Sequence, residues 1–319
     1  MPSKIVFIAL FVFALNALSA DCSFSIRNFN WGNIDLLFST NASDIQGIFD
    51  VNCRNGEPDE QVRVCLNLST GSGGMDASGD PRYMLNQSSQ LAQLRYNLFS
   101  DVSRLNPWKL WTSPPPVPPD IVLTLDENGQ STREIPIYAR LYGNQSSLPP
   151  GYYLSTFSGN QSQVVYGDTS NNCLVMFSQL TPTVVPFNVQ MNYPPTCTVT
   201  TQPLNFGTID FRFPTMGTTQ IEVQCSNTMT YQISLNGGES GAWNPERREL
   251  KTPDMHVLYY GLYQDSAHMR PWGNIVNQDT VQGTGTGLRQ SYTVYGFIPA
   301  QPDSWVGQYR DRVRVLVYY

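Results

Sequence analysis

The sequence predicts an all-β protein of two tandem, immunoglobulin-like antiparallel β-sandwiches, and three observations carry that expectation. Asp, Glu, Lys and Arg make up 14% of the 319 residues, while 24 Gly, 23 Pro and 12% aromatics supply turns and rings. Globular chains carry about 25% charged residues, and long solvated helices draw on that charge. Stretches such as 62–68, 221–225, 231–235 and 313–319 alternate apolar and polar residues at period two between clusters of Gly, Asn, Asp and Pro. That is the pattern of half-buried strands separated by turns. Thirdly, one set of landmarks occurs twice in the same order, the mark of an internal duplication.

The duplication runs through most of the chain. Cys22 is followed eight residues on by NWGNID (30–35), and Cys197 eight residues on by NFGTID (205–210). YNLFSD (96–101) answers YGLYQD (260–265), and each is followed by Pro-Trp with the Trp seven residues past the Asp, at Trp108 and Trp272. IYARLY (137–142) answers VYGFIP (294–299), and Gly151-Tyr152-Tyr153 answers Gly307-Gln308-Tyr309. No helix is expected in either copy.

Taken in order, residues 1–20 read as an export signal: Lys4, an apolar run over 5–15, then Ala17, Ser19 and Ala20 before Asp21. The run is too short to span a bilayer, and no later stretch reaches the length a membrane helix needs. The first domain is placed at 21–180 and the second at 195–319. Export makes the six cysteines a disulfide set. Cys197 and Cys225 are the only pair in the second copy, Cys22 and Cys53 are their counterparts, and Cys65 with Cys173 is what remains. Their spacing matches no zinc site, and no metal is expected. Between the copies, residues 181–194 read as a strand-like linker, because Thr183, Val185, Phe187, Val189 and Met191 alternate before a Pro-Pro break. This segment stands where a strand completing or bracing the first domain would stand. At the C-terminus Val313, Val315, Val317 and Tyr319 share one face, and Arg312, Arg314, Leu316 and Tyr318 the other.

The ordered set Cys197, NFGTID, Cys225, YGLYQD with Trp272, VYGFIP and the terminal GQYRDRVRVLVYY resembles the spore coat protein U domain, the pilin of archaic chaperone-usher pili. Two such domains in one exported chain resemble the two-domain tip adhesins of Csu-type pili. The second copy matches closely, and the first keeps the landmarks with longer connections. The resemblance implies that the second domain is an incomplete sandwich, completed by a strand from a neighbouring pilin. It also implies a periplasmic chaperone pairing with the C-terminal run, an outer-membrane usher, and passage through the periplasm to a pilus tip. The signal ends one or two residues before Cys22, so no N-terminal strand is expected to remain for donation. For the first domain it implies attachment to a hydrophobic, abiotic surface or an unknown host ligand through apolar loops. A secreted coat-like structural protein is the alternative, and an exported sugar-binding module a more distant one.

Recognition usually resides in loops on a rigid scaffold, and the first copy departs most from the second in its loops. PWKLWTSPPPVPPD (107–120) offers Leu110, Trp111, Pro116 and Val117; Trp108 is excluded because it aligns with Trp272. LYGNQSSLPPGYY (141–153) offers Tyr142, Leu148 and Pro149, and GSGGMDASGDP (71–81) offers Met75. Enzymatic readings find little support. Neither His256 nor His268 sits in a metal-binding spacing, no GxSxG elbow is present, and GTGTG (283–287) lacks a P-loop Lys. Asp35, Asp101, Asp210 and Asp265 recur in the duplicated framework, which points to turn capping rather than acid-base work. No cofactor is expected. A net charge of −6 with no basic stripe argues against nucleic acid as a partner.

Overall fold

The computed structural model describes residues 20–89, 91–111 and 118–319; residues 1–19 of the expected signal 1–20, together with Pro116 and Val117, lie outside the described residues. The first domain runs through β1 (Asp21–Ile26), β2 (Phe29–Asn33), β3 (Ser43–Arg54), β4 (Gln61–Leu68), β5 (Arg82–Asn86), β6 (Gln93–Phe99) and β7 (Ile121–Thr124). It continues through β8 (Ser131–Leu141), β9 (Gly151–Phe157), β10 (Ser162–Asp168), α1 (Cys173–Gln179), β11 (Thr183–Val184) and β12 (Phe187–Tyr193). The second domain holds β13 (Cys197–Thr201), β14 (Thr215–Cys225), β15 (Thr230–Leu235), β16 (Arg248–Lys251), β17 (Val257–Tyr263), β18 (Val281–Thr284), β19 (Arg289–Ile298) and β20 (Val315–Tyr318).

Each domain is two facing sheets. In the first, an eight-stranded sheet ordered β1-β3-β8-β6-β5-β9-β12-β2 packs on a four-stranded one ordered β11-β10-β4-β7. In the second, β13-β14-β19-β17-β16 faces β18-β15-β20. The duplication is therefore structural, with β1, β3, β8, β6 and β5 repeated as β13, β14, β19, β17 and β16. Period-two alternation does the folding work: Phe49, Val51 and Cys53 of β3 are fully buried while their neighbours face outward.

The same internal fittings appear twice. The Trp108 indole N–H donates to the Leu66 carbonyl at 3.2 Å, and that of Trp272 to the Ile233 carbonyl at 2.9 Å; both rings are fully buried. Each Trp carbonyl is taken by a buried arginine that the sequence did not single out. Arg82 donates to the carbonyls of Leu68, Ser69 and Trp108 and to the Asn97 side chain. Arg248 donates to the carbonyls of Leu235, Asn236, Pro245 and Trp272. Burial pushes the Arg82 guanidinium down to about 10, still charged at neutral pH, and lowers Arg248 likewise. Such a cation tolerates burial because four acceptors replace its water.

The framework aspartates cap turns. Asp101 accepts from the backbone N–H groups of Leu105 and Asn106, and Asp265 from those of Met269 and Arg270. Disulfides join Cys22 to Cys53, Cys65 to Cys173 and Cys197 to Cys225. The expectation of no helix is corrected by α1, a short helix whose N-cap Asn172 side chain accepts from the Val175 N–H and whose Cys173 is tied to β4. A cap and a covalent anchor suffice for seven residues that propensity alone would leave unformed.

The two domains also touch. The Asn227 side chain donates to the Ser147 carbonyl at 2.6 Å. Gly287, at φ +77°, comes so near that a Cβ there would lie 2.2 Å from the Ser146 carbonyl oxygen.

Candidate functional site

The segment between the copies decides how the site is read, because β12 is a strand of the first sheet. It runs antiparallel to β9, with Phe187 opposite Phe157, Val189 opposite Ser155, Met191 opposite Tyr153 and Tyr193 opposite Gly151. On its other edge it runs parallel to β2, Val189 opposite Phe29. Phe187, Val189, Met191 and Tyr193 are buried in the core, and the Phe187 ring stacks on Phe157 at 4.4 Å. Residues 187–193, placed in the linker by sequence, thus fill the gap between β9 and β2.

The second domain carries both walls of that gap. NFGTID aligns Leu204 and Phe206 with Phe29 and Trp31 of β2. The opposite wall, residues 307–313, is the counterpart of β9 by three shared details. Arg310 pairs with Lys251 as Leu154 pairs with Leu85. The Tyr309 hydroxyl donates to the carbonyl four residues back, Trp305, at 2.7 Å, as Tyr153 donates to Pro149 at 2.6 Å. The phenol of Tyr260 meets Asp311 at 2.5 Å, where its counterpart Tyr96 has Ser155 beside it.

No strand among the described residues lies between these walls. What lies there instead is a groove of about 1260 Å³, floored by Leu235, Leu258, Tyr260, Leu262, Val294 and Ile298. Small-molecule sites hold roughly 300–1,000 Å³; this groove is larger. Phe206, Phe211, Tyr309 and Val313, on its walls, are half-buried, where their counterparts Trp31, Leu36, Tyr153 and Phe157 in the first domain are buried. The floor of the groove is apolar, while polar and charged residues such as Gln202, Asp210, Arg212 and Arg310 line it elsewhere. Asp311 alternates with Tyr309 and Val313 along one wall, and its carboxylate accepts from the Tyr260 hydroxyl and from the backbone N–H groups of Glu239 and Arg312. Burial, and then this contact with Asp311, drive the Tyr260 phenol well above its usual range, so it stays a donor.

The Spore Coat Protein U domain model matches residues 9–160 and 183–316. The chain belongs to that family. No curated protein sequence matches it. Among solved structures it is similar to the CsuE tip adhesion subunit, in pre-assembly complex with the chaperone CsuC, from archaic chaperone-usher Csu pili of Acinetobacter baumannii. Identity there is 16%, with 94% of this chain and 100% of that one covered and a TM-score of 0.53. The CupB6 tip adhesin of Pseudomonas aeruginosa is similar at 11% identity, 94% coverage of each chain and a TM-score of 0.44. At such identity the likeness to CsuE is one of fold: two all-β domains in tandem. Spore coat U domains are not enzymes, and neither is this chain.

In the first spore coat U domain the structure places the sequence-selected loop residues at the surface but gives most of them packing work. Trp111 is half-buried on a small cluster around the Cys65–Cys173 bridge, and its backbone N–H donates to the Asn67 side chain at 2.7 Å. Leu110 beside it is half-buried. Leu148 packs against the main core, the Pro149 carbonyl takes the Tyr153 hydroxyl, and the Tyr142 hydroxyl donates to Asp80. Met75 is half-buried and bridges to Arg82 through its backbone. More exposed apolar side chains lie on the turn after β6, where Val102 is 66% and Leu105 77% accessible. Leu105 is not among the residues the sequence singles out, and its counterpart Met269 is equally exposed. Val102 answers to Ser266, so its apolar character belongs to the first domain alone.

Proposed function

We propose that this protein is the adhesive end subunit of a chaperone-usher surface fibre. The observation that carries this reading is that β12 fills in the first domain the place left as a groove in the second. The first domain is complete from its own chain; the second accepts a strand from a neighbouring pilin and so joins the fibre. Before assembly the same groove and the exposed face of β20 need cover, which is the work of a periplasmic chaperone, and an usher passes the subunit outward. The likeness of fold to CsuE, solved with its chaperone, supports this. The segment ahead of the second domain's first cysteine is consumed by the first domain and is not free for donation, which favours an end position. The loops bearing Met75, Leu110, Trp111, Pro116, Val117, Tyr142, Leu148 and Pro149, with Val102 and Leu105 nearby in sequence, are the proposed contact with a hydrophobic surface or host ligand.

The test is immunogold labelling of cells carrying Phe206→Asp, a charge on the groove wall. The expected result is loss of label from fibre ends with the first domain still folded. A secreted coat-like protein would reach the exterior unaffected by that change. Attachment is read by binding of the purified chain to polystyrene, which Val102→Ser with Leu110→Ser should weaken.

A further inference from the structure

The first domain shows how a strand sits in such a gap, and one difference between the two gaps specifies the strand that fits the second. Superposing the repeats puts Phe187, Val189, Met191 and Tyr193 of β12 over Val313, Asp311, Tyr309 and Gly307, the counterparts of Phe157, Ser155, Tyr153 and Gly151. Three of these positions remain apolar or small. The fourth changes from a serine hydroxyl to a carboxylate. A carboxylate offers about four acceptor sites, and Asp311 has three of them filled, by Tyr260, Glu239 and Arg312. Asp311 is among the residues that line the groove, and one acceptor site is left to be met. An apolar residue seated there would strip water from a charge and return nothing, whereas a donor replaces the lost water.

We propose that the strand filling this groove lies in the register β12 adopts in the first domain, and carries a short hydroxyl residue, Thr or Ser, over Asp311 between apolar residues over Val313, Tyr309 and Gly307. The partner is therefore an extended segment in which one hydroxyl interrupts the alternating apolar series at a fixed place. Asp311, with Tyr260 holding it, is the specificity determinant. This rests on the strand-accepting reading above and adds to it a register and a chemical selection.

The experiment uses the full chain and synthetic peptides with its own residues 183–193. The parent peptide keeps Val at the position of Val189. Three variants place Thr at the positions of Phe187, Val189 or Met191, one at a time. Binding is measured by calorimetry and by the melting shift of the second domain. Val→Thr keeps the shape and adds only the hydroxyl. A hydrogen bond to a charged group is worth enough to tighten binding about tenfold at the Val189 position, and Thr at either other position should weaken it. Asp311→Ser should abolish the preference for Thr; should that variant fail to fold, the positional scan on the unaltered protein decides alone. If all peptides bind but Thr is best tolerated at another position, or is nowhere favoured, the register and selection are wrong and strand acceptance stands. Failure of every peptide to bind overturns both. Self-association of the chain in sedimentation, in place of peptide binding, would assign the groove to a second copy and likewise overturn the proposal.

Discussion

Val189→Asp tests whether β12 is an integral strand of the first domain. The side chain is fully buried, opposite Ser155 on one edge and Phe29 on the other. Losing its burial costs about 1.5–2 kcal/mol. The new carboxyl is excluded from water, so it folds in neutral form, and holding it neutral at pH 7 against an unfolded value near 3.9 costs about 4 kcal/mol. The sum, about 6 kcal/mol, matches the whole stability of a marginal domain. Because the folded value is raised, the penalty grows as pH rises above about 4 and falls to about 2 kcal/mol below it. Urea unfolding followed by domain-specific probes at pH 7 and pH 4 should show the first domain unfolded or barely stable at pH 7, partly recovered at pH 4, with the second domain unchanged. Asn188→Asp, on the outward face of the same strand, should change stability by no more than about 0.5 kcal/mol. Equal stability of the two variants at pH 7 would show that β12 merely rests on the sheet.

Arg82→Met should destabilise the first domain by at least about 3 kcal/mol, since three carbonyls and an amide lose a buried donor, and Arg248→Met should act in the same way on the second; calorimetry on each variant shows which transition moves. Removing the Cys65–Cys173 bridge, which closes a loop of 108 residues, should cost about 5 kcal/mol in the chain-entropy model, and hydrogen exchange over α1 should rise first. The Arg140 guanidinium, bonded to Asp44 at 2.8 Å, holds that carboxyl below its usual range, with Arg104 adding to the effect. Its contribution, about 1 kcal/mol or less for so accessible a pair, is present above pH 4 and lost as pH falls through the lowered value. Acid titration should therefore weaken the native chain more than Asp44→Asn.

The repeat was legible because framework residues carry strong local signals. The turn aspartates, the Pro-Trp pairs and the cysteines recur at matched spacing, and alternation at period two told strand from helix. β12 showed itself by the same alternation, but its partners did not, since pairing between Phe187 and Phe157 joins residues 30 apart along the chain. The twin arginines escaped notice because a single Arg in a strand reads as a solvated side chain until the carbonyls that surround it are known. Loop tips were harder still. Trp111 and Leu148 look like free apolar groups in one dimension and turn inward only because the Cys65–Cys173 bridge and the sheet edge lie beneath them. Asp311 in YRDRVRV reads as one charge among several, and becomes unusual only when Tyr260 is found against it.

The position of β12 also has a mechanical side. Any tension between the two domains enters the first one through this strand, which is held on both edges and fastened by four buried side chains. Every disulfide of the first domain lies upstream of it, the last at Cys173, and the next covalent tie is Cys197. If β12 is drawn out, the two dozen or so intervening residues can pay out about 80 Å of chain at full extension before a cross-link is loaded. The joint behaves as a latch with slack behind it: stiff while the strand is seated, extensible once it yields, and able to reseat because the strand stays tethered to its own slot.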